Sequence, residues 1–132
     1  MNRARITEIL RFGVVGTIGF LVDAAVLTLL TSVFAWTPAL ARAVSFPLAL
    51  SVTWLTNRCW TFAHGRSKPA GRQYLQYAAI QFMGTTLNLS IYLVLISISD
   101  MMRDYPALAL AVASTAAMFV NYSLSRRFAF AR

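Results

Sequence analysis

Four long apolar runs, parted by short polar breaks, make up most of this chain. They cover residues 12–34, about 39–57, 74–98 and 107–124. Each is close to the roughly 20 residues an α-helix needs to cross a hydrocarbon layer. The pattern predicts an all-α membrane protein with four transmembrane helices. Residues 35–38 form a tight connection, with Trp36 placed for an interfacial aromatic. Residues 58–72 are the longest polar stretch and read as a linker. Asp100, Arg103, Asp104 and Pro106 mark the last turn. Pro47 falls inside the second run, where membrane bundles tolerate a proline if neighbours satisfy the freed carbonyl.

Within the runs the polar and small residues fall into lines. Gly16, Gly19 and Asp23 share one helical face, and Gln81, Gly84 and Asn88 repeat that spacing. Ser45, Ala49, Thr53 and Asn57 form a stripe on the second helix. Ser114, Met118, Asn121 and Ser125 form another on the fourth. The two halves of the chain also resemble each other. Aligning Trp60-Thr61-Phe62 with Phe128-Ala129-Phe130 pairs Arg58 with Arg126, Thr53 with Asn121 and Asn57 with Ser125. Upstream, Phe12 pairs with Tyr77, Gly19 with Gly84 and Asp23 with Asn88. The expected organisation is one transmembrane domain over residues 1–132. It would comprise two like-oriented helical hairpins, about 9–62 and 74–130, related by an axis along the membrane normal. The polar lines admit two readings. Small residues and amides hold membrane helices together, and they also line polar paths.

Composition supports the membrane reading. The chain is 58% hydrophobic and 12% charged, against about 25% charge in soluble domains. Its net charge is +8, yet no face is free to form a polar groove for nucleic acid, so no nucleic-acid partner is expected. Of the 12 Lys and Arg residues, all but Arg42 and Arg103 lie at one set of helix ends. The positive-inside rule then places both termini and the central loop in the cytoplasm of a multi-pass inner (plasma) membrane protein. The first apolar run is too long for a cleavable signal and reads as an anchor. Cys59 is the single cysteine, and the single His64 sits in a polar loop. There are no paired catalytic carboxylates, no metal-ligand spacing and no nucleophile with a base. Neither an enzyme nor a cofactor is expected.

Asp23 is the costly residue. A carboxylate near a helix centre costs about 2.5–3.5 kcal/mol on insertion scales. Arg42 is its candidate partner. By helical rise Asp23 lies ~16 Å and Arg42 ~25 Å above the inner boundary, a gap that an arginine side chain largely closes. The pair reads either as a structural ion pair or as a contact point for a charged headgroup. The aromatic-rich exits are equally open. Arg58, Trp60 and Phe62, with Arg126, Arg127, Phe128 and Phe130, either anchor helix ends or offer arginines to a phosphate.

Taken in order, Leu10-Arg11-Phe12-Gly13-Val14-Val15-Gly16, the mid-helix Asp23, Asn57-Arg58-Cys59-Trp60-Thr61-Phe62 and the stretch from Asn121 to Phe130 resemble the GtrA-like family. The resemblance runs from about Ile9 to Phe130. It implies a small four-helix protein of cell-surface polysaccharide synthesis that moves a polyprenyl-phosphate-linked sugar across the membrane. A membrane glycosyltransferase is the implied partner. Thr53 stands where family members often carry asparagine, and Arg127 replaces Cys59 of the first box. On this reading Asp23, Arg42, Asn57, Arg58, Asn88, Asn121, Arg126 and Arg127 contact the substrate. Four helices make a thin wall around a polar path, which leaves room for a homo-oligomer. Two rivals stay open. One is an anchor or regulatory subunit for a glycosyltransferase. The other is a small multidrug-type exporter, although its antiparallel assembly sits poorly with so biased a charge distribution. Topology reporters fused at either terminus or in residues 58–72 should report the cytoplasm, and reporters in residues 35–38 or 100–106 the opposite side. Termini on opposite sides would overturn the orientation.

Overall fold

The computed structural model describes residues 3–64 and 68–131, and it is 89% helical with no strand among those residues. Helix α1 spans Arg3–Ser32 and α2 spans Pro38–Thr56, continuing into a first π turn at Asn57–Thr61. Helix α3 spans Ala70–Ile98 and a short α4 spans Asp100–Asp104. Helix α5 spans Pro106–Leu124 and continues into a second π turn at Ser125–Ala129. Four of these helices are long and apolar enough to cross a membrane. The protein is a multi-pass membrane protein. By rise per residue α1 and α3 are about 45 Å and 43 Å long, against a hydrocarbon core of about 30 Å. Both therefore extend beyond it. Helix α1 takes in the basic stretch ahead of the first apolar run, and α3 takes in part of the expected linker. Gly65, Arg66 and Ser67 of that linker, and Arg132, lie outside the described residues.

The breaks between helices have local causes. After α1, Ala35 adopts a left-handed conformation (φ 54°), and the Trp36 amide donates to the Leu30 carbonyl at 3.0 Å. This geometry ends helices and is usually given to glycine. Thr37 then caps α2 by accepting from the Leu40 amide, and Pro38 fills the first turn, where its missing N–H costs nothing. Pro106 opens α5 in the same way. Between α3 and α5, Ser99 caps α4. Arg103 donates to the carbonyls of Ile96 and Ser97 at 3.1 and 3.3 Å, supplying partners to the end of α3. Helix α2 runs on through Pro47, whose carbonyl accepts from the Ser51 hydroxyl at 2.8 Å.

The chain divides into two compact units between Lys68 and Pro69. In the first, α1 packs on α2. A Cβ on Gly19 would collide with the Thr53 side chain, so glycine is what lets the two helices approach. Toward the π turn, Phe12 meets Phe62 edge-on, with centroids 6.0 Å apart. In the second unit α3 packs on α5 by the same contacts. A Cβ on Gly84 would collide with the Asn121 amide, and Tyr77 meets Phe130 edge-on at 5.8 Å.

Buried positions recur every fourth residue along the second helix of each unit. They are Ala41, Ser45, Ala49, Asn57 and Thr61 in one, and Ala109, Ala113, Ala117, Ser125 and Ala129 in the other. Such small-residue spacing suits close packing in lipid, where dispersion and not hydrophobicity drives association. On α5 this line differs from the expected stripe by one position. Ala113 and Ala117 are buried, whereas Ser114 is exposed and Met118 half-buried. Alanine, which allows the closer approach, takes the tight side. The outward faces carry large apolar groups such as Phe20, Leu21, Phe82 and Leu93, as helices bathed in hydrocarbon require.

The glycines generate a graded expectation. Gly84→Ala should destabilise the protein by about 1–3 kcal/mol through overpacking against Asn121. Gly16→Ala, with open space around it, should be neutral or stabilising by up to about 1 kcal/mol. Reversible unfolding in bicelles measures both, and equal effects would contradict the packing described.

Candidate functional site

Asp23 and Arg42 meet. Arg42 Nη1 donates to Asp23 Oδ2 at 2.5 Å. The tight turn at Ala35 brings the last third of α1 alongside the first turns of α2, which makes the contact possible. The Arg42 guanidinium also lies over the ring of Phe46, 6.0 Å from its centroid and one turn along α2. The two partners are unequally covered. The Asp23 side chain is 16% exposed and that of Arg42 53%. Asp23 Oδ1 is buried and accepts no hydrogen bond among the described residues. One edge of the guanidinium is thus held by protein and the rest is open.

In the second unit the aligned residue is Asn88, whose Nδ2 donates to Ser114 Oγ at 3.1 Å. A neutral pair stands where the first unit has an ionic one. One turn and a half below, Asn121 Nδ2 donates to Gln81 Oε1 at 3.2 Å. That bond fixes the amide which faces Gly84. Sequence reading singled out both asparagines and Gln81, but not which partner each would take.

At the other end of α2, Asn57 is 1% exposed and opens the first π turn. The turn is set by the Phe62 amide, which donates five residues back to the Asn57 carbonyl at 2.8 Å. The Phe130 amide does the same to Ser125 in the second unit, also at 2.8 Å. Wider turns of this kind often occur at functional positions. Their effect is to split each aromatic-x-aromatic box. Phe62 and Phe130 are buried, while Trp60 and Phe128 remain exposed.

The arginines at these exits rest on aromatic rings. The Arg58 guanidinium lies 5.6 Å from the Trp54 ring centroid, and Arg127 lies 5.6 Å from that of Phe128. Arg126 Nη1 donates to the Tyr122 hydroxyl at 3.4 Å. Trp54–Arg58 and Tyr122–Arg126 are aligned pairs four residues apart, one turn of helix. This aromatic seat was readable in the spacing but went unnoticed among the apolar residues. Arg11, from α1, joins the first exit by lying over Trp60 at 5.4 Å and donating to its carbonyl at 3.4 Å. A guanidinium stacked on a ring keeps its in-plane N–H groups for an oxyanion. The Asp23–Arg42 pair and Arg58 remain separate points, since 16 residues of α2 put Arg42 and Arg58 about 24 Å apart along the helix.

The family described as GtrA/DPMS, transmembrane domain, matches residues 11–131. The chain belongs to that family. The match takes in both helical units and every site residue named above. Membership in GtrA/DPMS associates the protein with lipid-linked sugar or polysaccharide biosynthesis, in a family whose members are generally small membrane proteins and not catalysts. A search of curated proteins finds no match.

The ion pair of this GtrA/DPMS chain is open to direct measurement. A double-mutant cycle of Asp23→Asn and Arg42→Gln should give a coupling of about 1–3 kcal/mol. The same cycle at Asp100 and Arg103, where the carboxylate is 92% exposed, should give at most about 1 kcal/mol. Zero coupling at Asp23–Arg42 would remove it as a structural element.

Proposed function

We propose that this protein moves a polyprenyl-phosphate-linked sugar between the leaflets of the inner (plasma) membrane, for use in cell-surface glycan synthesis. The observation that carries the reading is the Asp23–Arg42 pair inside the membrane spans, with its guanidinium half exposed. An intramembrane ionisable pair is expensive and generally functional. Here the arginine is held by one carboxylate oxygen while its outer edge stays available to a phosphate, so a headgroup trades one anionic partner for another. The two helical units act together as one transmembrane domain, with both termini cytoplasmic. That orientation puts Arg58, Arg126 and Arg127 at the cytoplasmic ends, where they collect the lipid phosphate. Asn57, Asn88 and Asn121 offer amides to sugar hydroxyls, and the isoprenoid tail stays in hydrocarbon. The sequence has no phosphate-binding loop for a nucleotide, so transport runs downhill, drawn by a membrane glycosyltransferase that consumes the lipid sugar on the far side. Assembly as a parallel homo-oligomer would thicken the wall around this path.

Purified protein in liposomes should equilibrate a labelled polyprenyl-phosphate sugar between leaflets without any transferase. Asp23→Ala and Arg58→Ala should each abolish surface glycan modification in cells while leaving membrane insertion intact. Lack of transport in liposomes, together with stable co-purification of a glycosyltransferase, would replace this reading with that of an anchor subunit. Normal modification by both variants would show that the site is elsewhere.

A further inference from the structure

Next to the Asn88–Ser114 bond, the second unit has an open groove between α3 and α5. Its volume is about 360 Å³, and it is lined by Asn88, Leu89, Tyr92, Pro106, Ala107 and Leu110. Aligning the two halves places Asp23, Ala24, Leu27, Pro38, Ala39 and Arg42 at the same positions of the first unit. There the two charged side chains reach across to each other, and Arg42 lies over Phe46. Leu110 stands in place of that arginine and Ser114 in place of that phenylalanine. Both replacements are smaller, and they leave open the space that a cation and a ring take up in the first unit.

The lining selects an occupant by its chemistry. It carries no formal charge, and its amide already donates to Ser114. Both walls belong to membrane spans, so the surrounding medium is hydrocarbon. A sugar seated here would leave most of its hydroxyls unpaired, at a cost of kilocalories each. An uncharged apolar chain leaves nothing unpaired. The groove is also short, since Asn88 to Tyr92 is about 6 Å of helix, so its volume lies in its width. A methyl-branched chain fills such a space from both sides where a linear acyl chain would not, and dispersion rewards contact on both sides.

We infer that this groove seats isoprene units of the carrier lipid, against the rings of Tyr92 and Pro106 and the side chain of Leu110. The inference rests on the functional reading above and adds a place where the lipid tail is recognised. The test uses undecaprenyl phosphate bearing a photoreactive diazirine on an isoprene unit, with full-length protein in liposomes. Labelling should fall on α3 and α5 around Leu89–Tyr92 and Pro106–Leu110. A diacyl phosphatidylglycerol with a diazirine in its acyl chain should label these peptides at least about tenfold less. The double variant Asn88→Asp, Leu110→Arg transplants the first unit's ion pair. It closes the groove with a pair that satisfies itself, and it should cut undecaprenyl labelling about tenfold while the protein remains folded. Equal labelling by the two lipids, or unchanged labelling of the double variant, overturns the inference. So does capture of a second copy of the chain by a photoreactive phenylalanine replacing Leu110. Transport that proceeds normally without labelling here would sink the groove alone. Labelling here without transport would sink the translocation reading and leave the groove standing.

Discussion

The absence of two side chains decides how each hairpin closes. At Gly19 and Gly84 a single methyl group would collide with Thr53 and Asn121, so the second helix lies directly on the backbone of the first. In hydrocarbon there is no water to expel between helices, and association must come from surfaces that fit and from polar groups that find partners. The glycine contact provides the fit. It also sets the depth at which the remaining side chains face each other. With it in place, Phe12 falls on Phe62 and Tyr77 on Phe130, and Asp23 comes within reach of Arg42.

On this shared backbone plan the two units differ in chemistry. Where one has a carboxylate, a guanidinium and a phenyl ring, the other has an amide, an isobutyl group and a hydroxyl. The first arrangement is costly unless both charges stay together, and a buried pair is weak evidence for stability alone. The second is inexpensive and leaves space. Duplicated architecture here provides two environments of opposite polarity from one geometry.

Much of this was legible in the residues. Apolar runs of the right length gave the four spans, and the glycine and asparagine spacing aligned the halves. Asp23 announced itself as the only ionisable group of the first run, with Arg42 the one cation able to reach it. Three things were not legible, each for a physical reason. Helix ends in lipid are not marked by polarity, since α1 extends through Arg3, Arg5 and Arg11 with no penalty once its tip is in water. The buried line of α5 runs through Ala113 and Ala117 because alanine permits close approach, and a search for polar residues settles one position away, on Ser114. The π turns leave no compositional mark. They depend on one hydrogen bond that reaches five residues back instead of four.

That one bond has a consequence for how the exits are phased. At 3.6 residues per turn, positions four apart drift by about 40° around the axis, and Thr61 would begin to leave the side on which Asn57 is hidden. The wider ring cancels the drift, so Asn57 stays in line with Thr61, and Ser125 with Ala129. The main chain therefore acts as a gauge. Narrowing either turn by one residue would rotate everything beyond it, carrying a sheltered phenylalanine outward and an exposed ring inward, with a guanidinium between them. In a molecule otherwise made of rigid apolar rods, the smallest backbone adjustment and the largest displacement of positive charge fall at the same place.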